Sequence, residues 1–232
     1  MPPTLDRARP RSSSETVRRV LAAAVFLPIF YYLVHDLGAI AFFGLAAIAG
    51  MLAAGEFYRL HLGQAPWPWW CWLGVGATGL LISSAQWPTL VTDRAVLLGT
   101  LAIALCMPLL SGKSLRDSLT DGMVLVMGVL YLGLTLSYLV LTRGLPDGAL
   151  LIFFVFLVTW AGDTGAYVAG KSMGRHALAP VISPKKTYEG LAGGLVLACL
   201  MAVVARAWFL PAFSLVDCLA LVGPLRRHLL RG

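Results

Sequence analysis

Charged residues are scarce in this 232-residue chain: Asp, Glu, Lys and Arg make up 12% of it, whereas hydrophobic residues make up 59%. A water-soluble domain is about a quarter charged and about half apolar. The chain therefore has too little polar surface to cover a globule in water, and its mean hydropathy of +0.81 agrees with this. The composition argues against a water-soluble enzyme and a disordered chain, and it predicts an all-α, polytopic membrane protein.

Cysteine and acidic residues are also rare. The four cysteines have no C-x-x-C spacing and lie in or beside apolar runs, so we expect small buried side chains and neither disulfides nor metal ligands. Eleven acidic residues stand against 18 Lys and Arg, which gives a net charge of +7. Because the basic residues lie between apolar runs, this excess predicts a membrane topology signal and no nucleic-acid binding.

Seven apolar runs predict about seven transmembrane helices, since about 20 residues cross the hydrocarbon core of a bilayer. The runs are residues 20–34, 37–55, 67–85, 95–110, 123–142, 149–170 and 191–205. The resulting regions are a disordered cytoplasmic lead (1–19), an N-terminal transmembrane region (20–142), a catalytic-type transmembrane region (143–210) with the loop 171–190, and an atypical or truncated C-terminus (211–232). Four tryptophans between residues 67 and 72 predict an aromatic belt at the membrane interface.

Basic residues favour a cytoplasmic N-terminus. Five arginines precede the first run, and most of the other Lys and Arg fall in connections on the same side. Before the seventh run, only Arg94 and Arg143 would lie on the opposite side. The positive-inside rule therefore places the loop 171–190 in the cytoplasm, where nucleotides and metal ions are available.

Asp163 is the only carboxylate well inside a predicted span. A carboxylate at a helix centre costs at least about 2.5–3.5 kcal/mol, so a partner, water or a metal ion is expected beside it. A continuous helix places Tyr167 and Lys171 near the same face, progressively closer to the cytoplasm, where the three would line one cavity. The alternative is that Asp163 accepts a hydrogen bond from a neighbouring helix, since small residues at 162, 166 and 170 permit tight packing there.

The segment S-P-K-K-T is predicted to begin a helix, with Ser183 as the N-cap and Pro184 as the first helical residue. The free N–H groups of that helix start, together with Lys185 and Lys186, would bind phosphate oxygens. The i, i+4 spacing of Lys185 and Glu189 predicts an intrahelical ion pair. The alternative is that the two lysines only anchor the helix at the cytoplasmic face.

Glycines and histidines supply weaker signals. Glycines at 170, 174, 190, 193 and 194 are expected to let the backbone approach a ligand closely. His61 has no metal-ligand partner at a useful spacing, and we expect His176 to be a solvated loop residue.

The stretch WAGDTGAYVAGKSMGRHALAPVISPKKTYEG, residues 160–190, resembles the phosphatidate cytidylyltransferase family, the CDP-diacylglycerol synthases. D-T-G-A-Y, G-K-x-x-G-R-H and S-P-K-K-T-x-E-G occur in it in order, and the resemblance extends from about Arg18 to Gly194. It implies an enzyme of the bacterial inner membrane with a cytoplasmic active face. Such an enzyme joins CTP to phosphatidic acid with Mg²⁺, giving CDP-diacylglycerol and pyrophosphate.

The resemblance also implies roles for individual residues. Asp163 would contribute to the metal and nucleotide site, and Lys171, Lys185 and Lys186 would be catalytic residues that contact phosphates. The predicted substrate-binding residues are Tyr167, Arg175, Ser183, Thr187 and Glu189. The predicted partners are CTP and phosphatidic acid, with a homodimer as a candidate assembly and no nucleic acid.

The C-terminal part departs from the family pattern. A signature with Ser and Lys-Arg, then Lys-Asp, His-Gly-Gly and Asp-Arg-x-Asp is expected, but residues 191–232 contain no lysine and a single carboxylate, Asp217. We interpret this as a change of reading frame or a truncation. A catalytically inactive relative that binds nucleotide or lipid, and a small anion or proton-coupled transporter, are the alternatives. The lack of paired broken helices argues against the transporter.

Overall fold

The computed structural model describes residues 28–36, 38–181, 183–211, 214 and 216. The predicted lead 1–19, the beginning of the first predicted span and most of the region 211–232 lie outside these residues. Residues 28–35 are helical. Six helices and two strands follow: α1 Ala39–Leu62, α2 Trp69–Gln86, α3 Asp93–Leu110, α4 Leu115–Arg143, α5 Gly148–Met173, β1 Ala177–Ala179, β2 Ser183–Thr187 and α6 Tyr188–Trp208.

The six helices coincide with the last six predicted apolar runs. Two of them, α4 and α6, begin three or more residues before the runs, each directly after a residue whose side chain caps the helix. Ser114 Oγ accepts a hydrogen bond from Asp117 N at 3.2 Å, so α4 begins at Leu115 and not at Met123. Capping side chains therefore add about two helical turns that hydropathy alone does not reveal.

Five of the helices, α1, α3, α4, α5 and α6, are long and apolar enough to cross a membrane. The predicted all-α membrane bundle is confirmed at this level, with a short β-hairpin as its exception. The predicted count of about seven spans and the cytoplasmic N-terminus stay predictions. Helix α2 is not among the five, although its side chains contribute much of the buried core.

Helices α1 to α4 pack around one apolar core. The core residues are Ala54, Tyr58, Trp70, Cys71, Leu81, Ala104, Met107, Leu125 and Val129. The side chain of Tyr58 lies between Gly74 of α2 and Gly128 of α4, where an added Cβ would lie 2.5 Å and 2.6 Å, respectively, from the nearest Tyr58 atom. The Tyr58 hydroxyl donates to the carbonyl of Leu125 at 3.2 Å, so the buried polar group is satisfied.

Two expectations about buried side chains are wrong in part. Trp70 is 2% exposed and belongs to the core, so it is not part of an interface belt, whereas Trp69 and Trp72 are exposed as that belt requires. Cys71 is buried as expected, but Cys106 is exposed on α3. The exposure of these side chains depends on which face of the helix packs inward. Helices α2 and α3 are too uniformly apolar for the sequence to show which face that is.

Helix α4 contains a π-helical segment, Val129–Leu134, between α-helical Leu115–Gly128 and Thr135–Arg143. Gly128, just before the segment, packs against Tyr58, and Gly133, within it, packs against Leu81. Ser137 and Val140 follow it and are also buried. Helix α4 therefore contributes buried residues to the core before, within and after its π-helical segment.

Helices α5 and α6 form an antiparallel pair with very close backbones. A Cβ added at Gly165 would lie 2.5 Å from the carbonyl oxygen of Gly193, and one added at Gly194 would lie 2.8 Å from that of Gly162. Small residues at a helix contact let the two backbones approach in this way. The predicted tight packing at residues 162, 166 and 170 is confirmed, and the glycines at 193 and 194 belong to the same helix contact.

The connection between α5 and α6 is a two-stranded antiparallel hairpin. Strand β1 pairs with β2 in a register that places Ala177 opposite Thr187 and Ala179 opposite Ser183. The predicted helix start at Ser183 and Pro184 is therefore wrong. Pro184 is compatible with a strand here because β2 has one paired edge and an outer edge that needs no donor.

Thr187 is the actual N-cap of α6. Its backbone is extended, with φ −125° and ψ 156°, and its Oγ1 accepts a hydrogen bond from Gly190 N at 3.1 Å. This is the usual conformation and contact of an N-cap residue. The helix begins four residues later than predicted, so both lysines belong to the strand.

Candidate functional site at the hairpin between α5 and α6

Helix α5 presents Asp163, Tyr167 and Lys171 on an exposed strip beside its contact with α6. The Lys171 ammonium lies 5.7 Å from the centre of the Tyr167 ring, which confirms that these two share a face. Within the described residues, no hydrogen bond or ion pair reaches the Asp163 carboxylate. The alternative role of Asp163 as a packing hydrogen-bond acceptor therefore has no support from these helices.

Strand β2 carries Lys185 and Lys186, and both are exposed. The pairing with β1 shifts register between Ser183 and Thr187, so β2 is irregular where the two lysines lie and its side chains do not simply alternate between faces. Neither lysine forms an ion pair with another described residue, so both charges are available to a ligand. The two lysines therefore lie on a strand and not at a helix N-terminus as predicted.

Thr187 fills the joint between the end of α5 and the start of α6. A Cβ added at Gly170 would lie 3.3 Å from Thr187 Oγ1, and one added at Gly174 would lie 2.9 Å from Thr187 Cγ2. At Gly190 the added atom would lie 3.1 Å from the same hydroxyl. These glycines make room for the threonine side chain, whose hydroxyl accepts the Gly190 N–H.

Glu189 joins the hairpin to α6. Its Oε2 accepts hydrogen bonds from the backbone N–H groups of Arg175 at 3.1 Å and His176 at 3.3 Å. Its Oε1 lies 2.6 Å from His176 Nδ1. The predicted ion pair of Glu189 with Lys185 is wrong, because Lys185 is not on the helix and the carboxylate is already bound to His176.

His176 is the residue of this site that the sequence did not identify. It is an exposed loop residue, as the sequence predicts, but it pairs with Glu189, which is 13 positions away in the chain. Only the hairpin brings the two together, and Tyr188 N donates to the His176 carbonyl at 3.0 Å as a continuation of the strand pairing. Arg175, a predicted substrate-binding residue, uses its backbone N–H in the same contact and leaves its side chain exposed.

A second polar cluster joins the end of α1 to the connection between α3 and α4. Asp121 Oδ2 lies 2.7 Å from Lys113 Nζ, and Asp121 Oδ1 lies 3.0 Å from His61 Nε2. The Asp121 side chain is 8% exposed, against 46% for Lys113 and 29% for His61. Asp121 is thus a second carboxylate in a helix that is long and apolar enough to cross a membrane, near the beginning of that helix, and it pairs with His61. This cluster ties the helices of the N-terminal half together.

The described residues do not form a metal site by themselves. They include no group of three or more His, Cys, Asp or Glu side chains that could hold an ion. Mg²⁺ prefers six oxygen ligands and is often held by one or two carboxylates with substrate phosphates and water. Asp163 provides one such carboxylate, so these residues fit only a small part of a magnesium site.

The fold and the hairpin define a helical membrane protein. Among the described residues, Lys185 and Lys186 have no ion-pair partner and the Asp163 carboxylate accepts no hydrogen bond, and all three lie beside one helix pair. Comparison with known families identifies it further: the model of the cytidylyltransferase family matches residues 17–225. The chain therefore belongs to the cytidylyltransferase family, and the predicted resemblance and enzyme class, a nucleotidyltransferase, are confirmed.

Three relatives show the extent of the similarity, and each is a phosphatidate cytidylyltransferase. That of Staphylococcus haemolyticus is 30% identical over 204 residues, which cover 82% of this chain and 70% of the relative. That of Staphylococcus aureus strain COL is 32% identical over 188 residues, covering 78% and 66%. That of Staphylococcus saprophyticus is 45% identical over 89 residues, covering 38% and 34%. The chain thus spans between about a third and 70% of the length of these relatives.

Proposed function

We propose that this protein transfers a cytidylyl group from CTP to phosphatidic acid. A phosphate oxygen of the lipid attacks the α-phosphorus of CTP, the bond from that phosphorus to the bridging oxygen breaks, and pyrophosphate leaves with the electron pair. The products are CDP-diacylglycerol and pyrophosphate. The family assignment carries this proposal, and the free cations of the hairpin are compatible with it.

Lys171, Lys185, Lys186 and Arg175 would contact the phosphates of the two substrates. Both substrates are anionic, and transfer at phosphorus depends mainly on positioning and on neutralising developing charge. The two lysines of β2 are adjacent in the chain, and both are exposed. Together they would place two positive charges beside the phosphates of the nucleotide and of the lipid.

Asp163 is proposed as one ligand of a divalent metal ion, with Tyr167 and Ser183 lining the same pocket. A bound metal ion would supply charge neutralisation for the triphosphate. Since the described residues offer a single carboxylate there, the remaining oxygen ligands would have to come from phosphates, water or other parts of the protein.

The active face is proposed to be cytoplasmic, in the inner membrane of a bacterium. The five apolar helices and the bacterial relatives indicate a membrane protein. The Asp121 cluster places the end of α1 and the α3–α4 connection side by side, and alternating helices would put the hairpin at that same end of the bundle. CTP is available in the cytoplasm, where this end of the bundle is proposed to lie. A homodimer is the proposed assembly.

The experiment is to reconstitute the purified chain in lipid nanodiscs with phosphatidic acid, labelled CTP and Mg²⁺, and to measure labelled lipid. Turnover that Asp163→Asn and Lys186→Ala each abolish would support the proposal. Asp147→Asn and Arg94→Ala are matched controls, because these exposed residues lie at the opposite ends of α5 and α3 from the hairpin connection. Nucleotide binding without lipid product would favour the inactive relative, and anion flux without product would favour the transporter.

A further inference from the structure

Both oxygens of the Glu189 carboxylate are bound to Arg175 and His176, at the beginning of the hairpin. Both oxygens accept hydrogen bonds, two from consecutive backbone N–H groups and one from the His176 ring. Its side chain is 23% exposed, compared with 77% for His176, so the carboxylate is the inner member of the pair. A carboxylate with this set of donors is well suited to holding a turn in place.

The contact of Glu189 with Arg175 and His176 lies on the same short hairpin as Lys185 and Lys186. The hairpin leaves α5 at Gly174 and returns to α6 at Thr187. Thr187 fixes the returning strand through the helix cap, and Glu189 fixes the departing strand through Arg175 and His176. With both ends held, Lys185 and Lys186 project from a short strand whose direction is set relative to α5.

A negative charge beside a phosphate site would normally repel phosphate. Glu189 avoids this because it lies in the first turn of α6, where the helix dipole favours an anion, and because three donors surround it. It forms no ion pair with Lys185 or Lys186. Glu189 therefore holds the hairpin without pairing with either lysine, and both lysines remain available to substrate.

We propose that Glu189 and His176 are a positioning pair that holds the cationic hairpin against α5 and α6. This assigns Glu189, predicted above as a substrate-binding residue, to a contact with the protein itself. The inference rests on the proposed function for its kinetic consequence only. Loss of the pair frees the hairpin, so it raises the KM for CTP and lowers kcat/KM by about 10- to 100-fold, the range for losing a hydrogen bond to a charged group.

The test compares Glu189→Ala, His176→Ala, their double variant and His176→Asn in the full chain in nanodiscs. The amide nitrogen of Asn replaces Nδ1 as a donor to Glu189 but provides nothing at the position of Nε2. Trypsin cleavage after Arg175, measured against cleavage after Arg94, reports hairpin opening without any need for turnover. KM for CTP and kcat are measured in parallel.

The expected result is about tenfold faster cleavage after Arg175 in Glu189→Ala and a smaller increase in His176→Ala, which keeps the two backbone hydrogen bonds to Glu189. The double variant should be cleaved no faster than Glu189→Ala, and His176→Asn should show wild-type cleavage and kinetics. Wild-type cleavage and wild-type KM in Glu189→Ala would overturn the proposal. Protected cleavage but lost turnover in His176→Asn would also overturn it, since Nε2 would then contact substrate. If the unaltered chain has no turnover, the proposed function fails and the cleavage pattern alone decides the positioning role.

Discussion

The close contact of α5 and α6 makes Gly165 the position where one added methyl group should matter most. We expect Gly165→Ala to destabilise the protein and to reduce any turnover, because the hairpin is mounted on these two helices. The new Cβ would lie 2.5 Å from the carbonyl oxygen of Gly193 and 2.8 Å from the Cβ of Leu197. Neither neighbour is the end of a flexible side chain, so the helices themselves must separate.

The magnitude follows from two opposing effects. Alanine is favoured over glycine within a helix by about 0.5–1 kcal/mol. Overpacking a close contact costs about 1–3 kcal/mol. Gly99→Ala in α3 is the matched control, because an added Cβ there meets nothing within 4 Å. Since both variants gain the same helix preference, the free energies of unfolding of the two should differ by about 1–3 kcal/mol, with Gly165→Ala the less stable.

Thermal unfolding in detergent micelles, followed by tryptophan fluorescence, measures this difference. A change of 1 kcal/mol corresponds to about 2–4 °C in a protein of this size. Gly99→Ala should unfold at or slightly above the temperature of the unaltered protein, and Gly165→Ala several degrees below it. Equal unfolding temperatures for the two variants would refute the close contact of α5 and α6.

Two further variants test contacts described above. Asp121→Asn should lower the free energy of unfolding by about 1–3 kcal/mol, because it removes the charge that pairs with Lys113 and His61. Urea titration measures this, and equal midpoints for the variant and the unaltered protein would contradict it. Thr187→Ala should cost about 0.5–2 kcal/mol through loss of the α6 cap, whereas Thr187→Ser keeps the hydroxyl and should cost less; the same urea titration compares them, and equal losses would show that packing matters and the cap does not.

The helices were predictable because their signal is local. An apolar run long enough to cross a bilayer is visible in about 20 consecutive residues, and no other part of the chain has to be known. Family motifs between residues 160 and 190 identified the enzyme class in the same way. The helix ends were less accurate, since capping by Ser114 and Thr187 depends on single polar side chains.

The hairpin and the Asp121 cluster were missed because distant residues create them. Ser183 and Pro184 suit a helix start equally well by local rules. Pairing with β1 and the contact from Glu189 to His176 select a strand, and neither is visible in a short window. Asp121 likewise meets His61 across 60 positions. Whether Asp163 and the lysines act together stays a prediction.

The π-helical segment of α4 makes one place in this helix tolerant of a change in length. A π turn contains one residue more than an α-helical turn, and in a regular α-helix each residue turns the direction of the side chains by about 100°. A chain lacking one residue between Val129 and Leu134 would therefore form a regular α-helix there and keep Ser137 and Val140 in their buried positions. A single-residue deletion between Leu115 and Gly128 would instead rotate these two side chains out of the core.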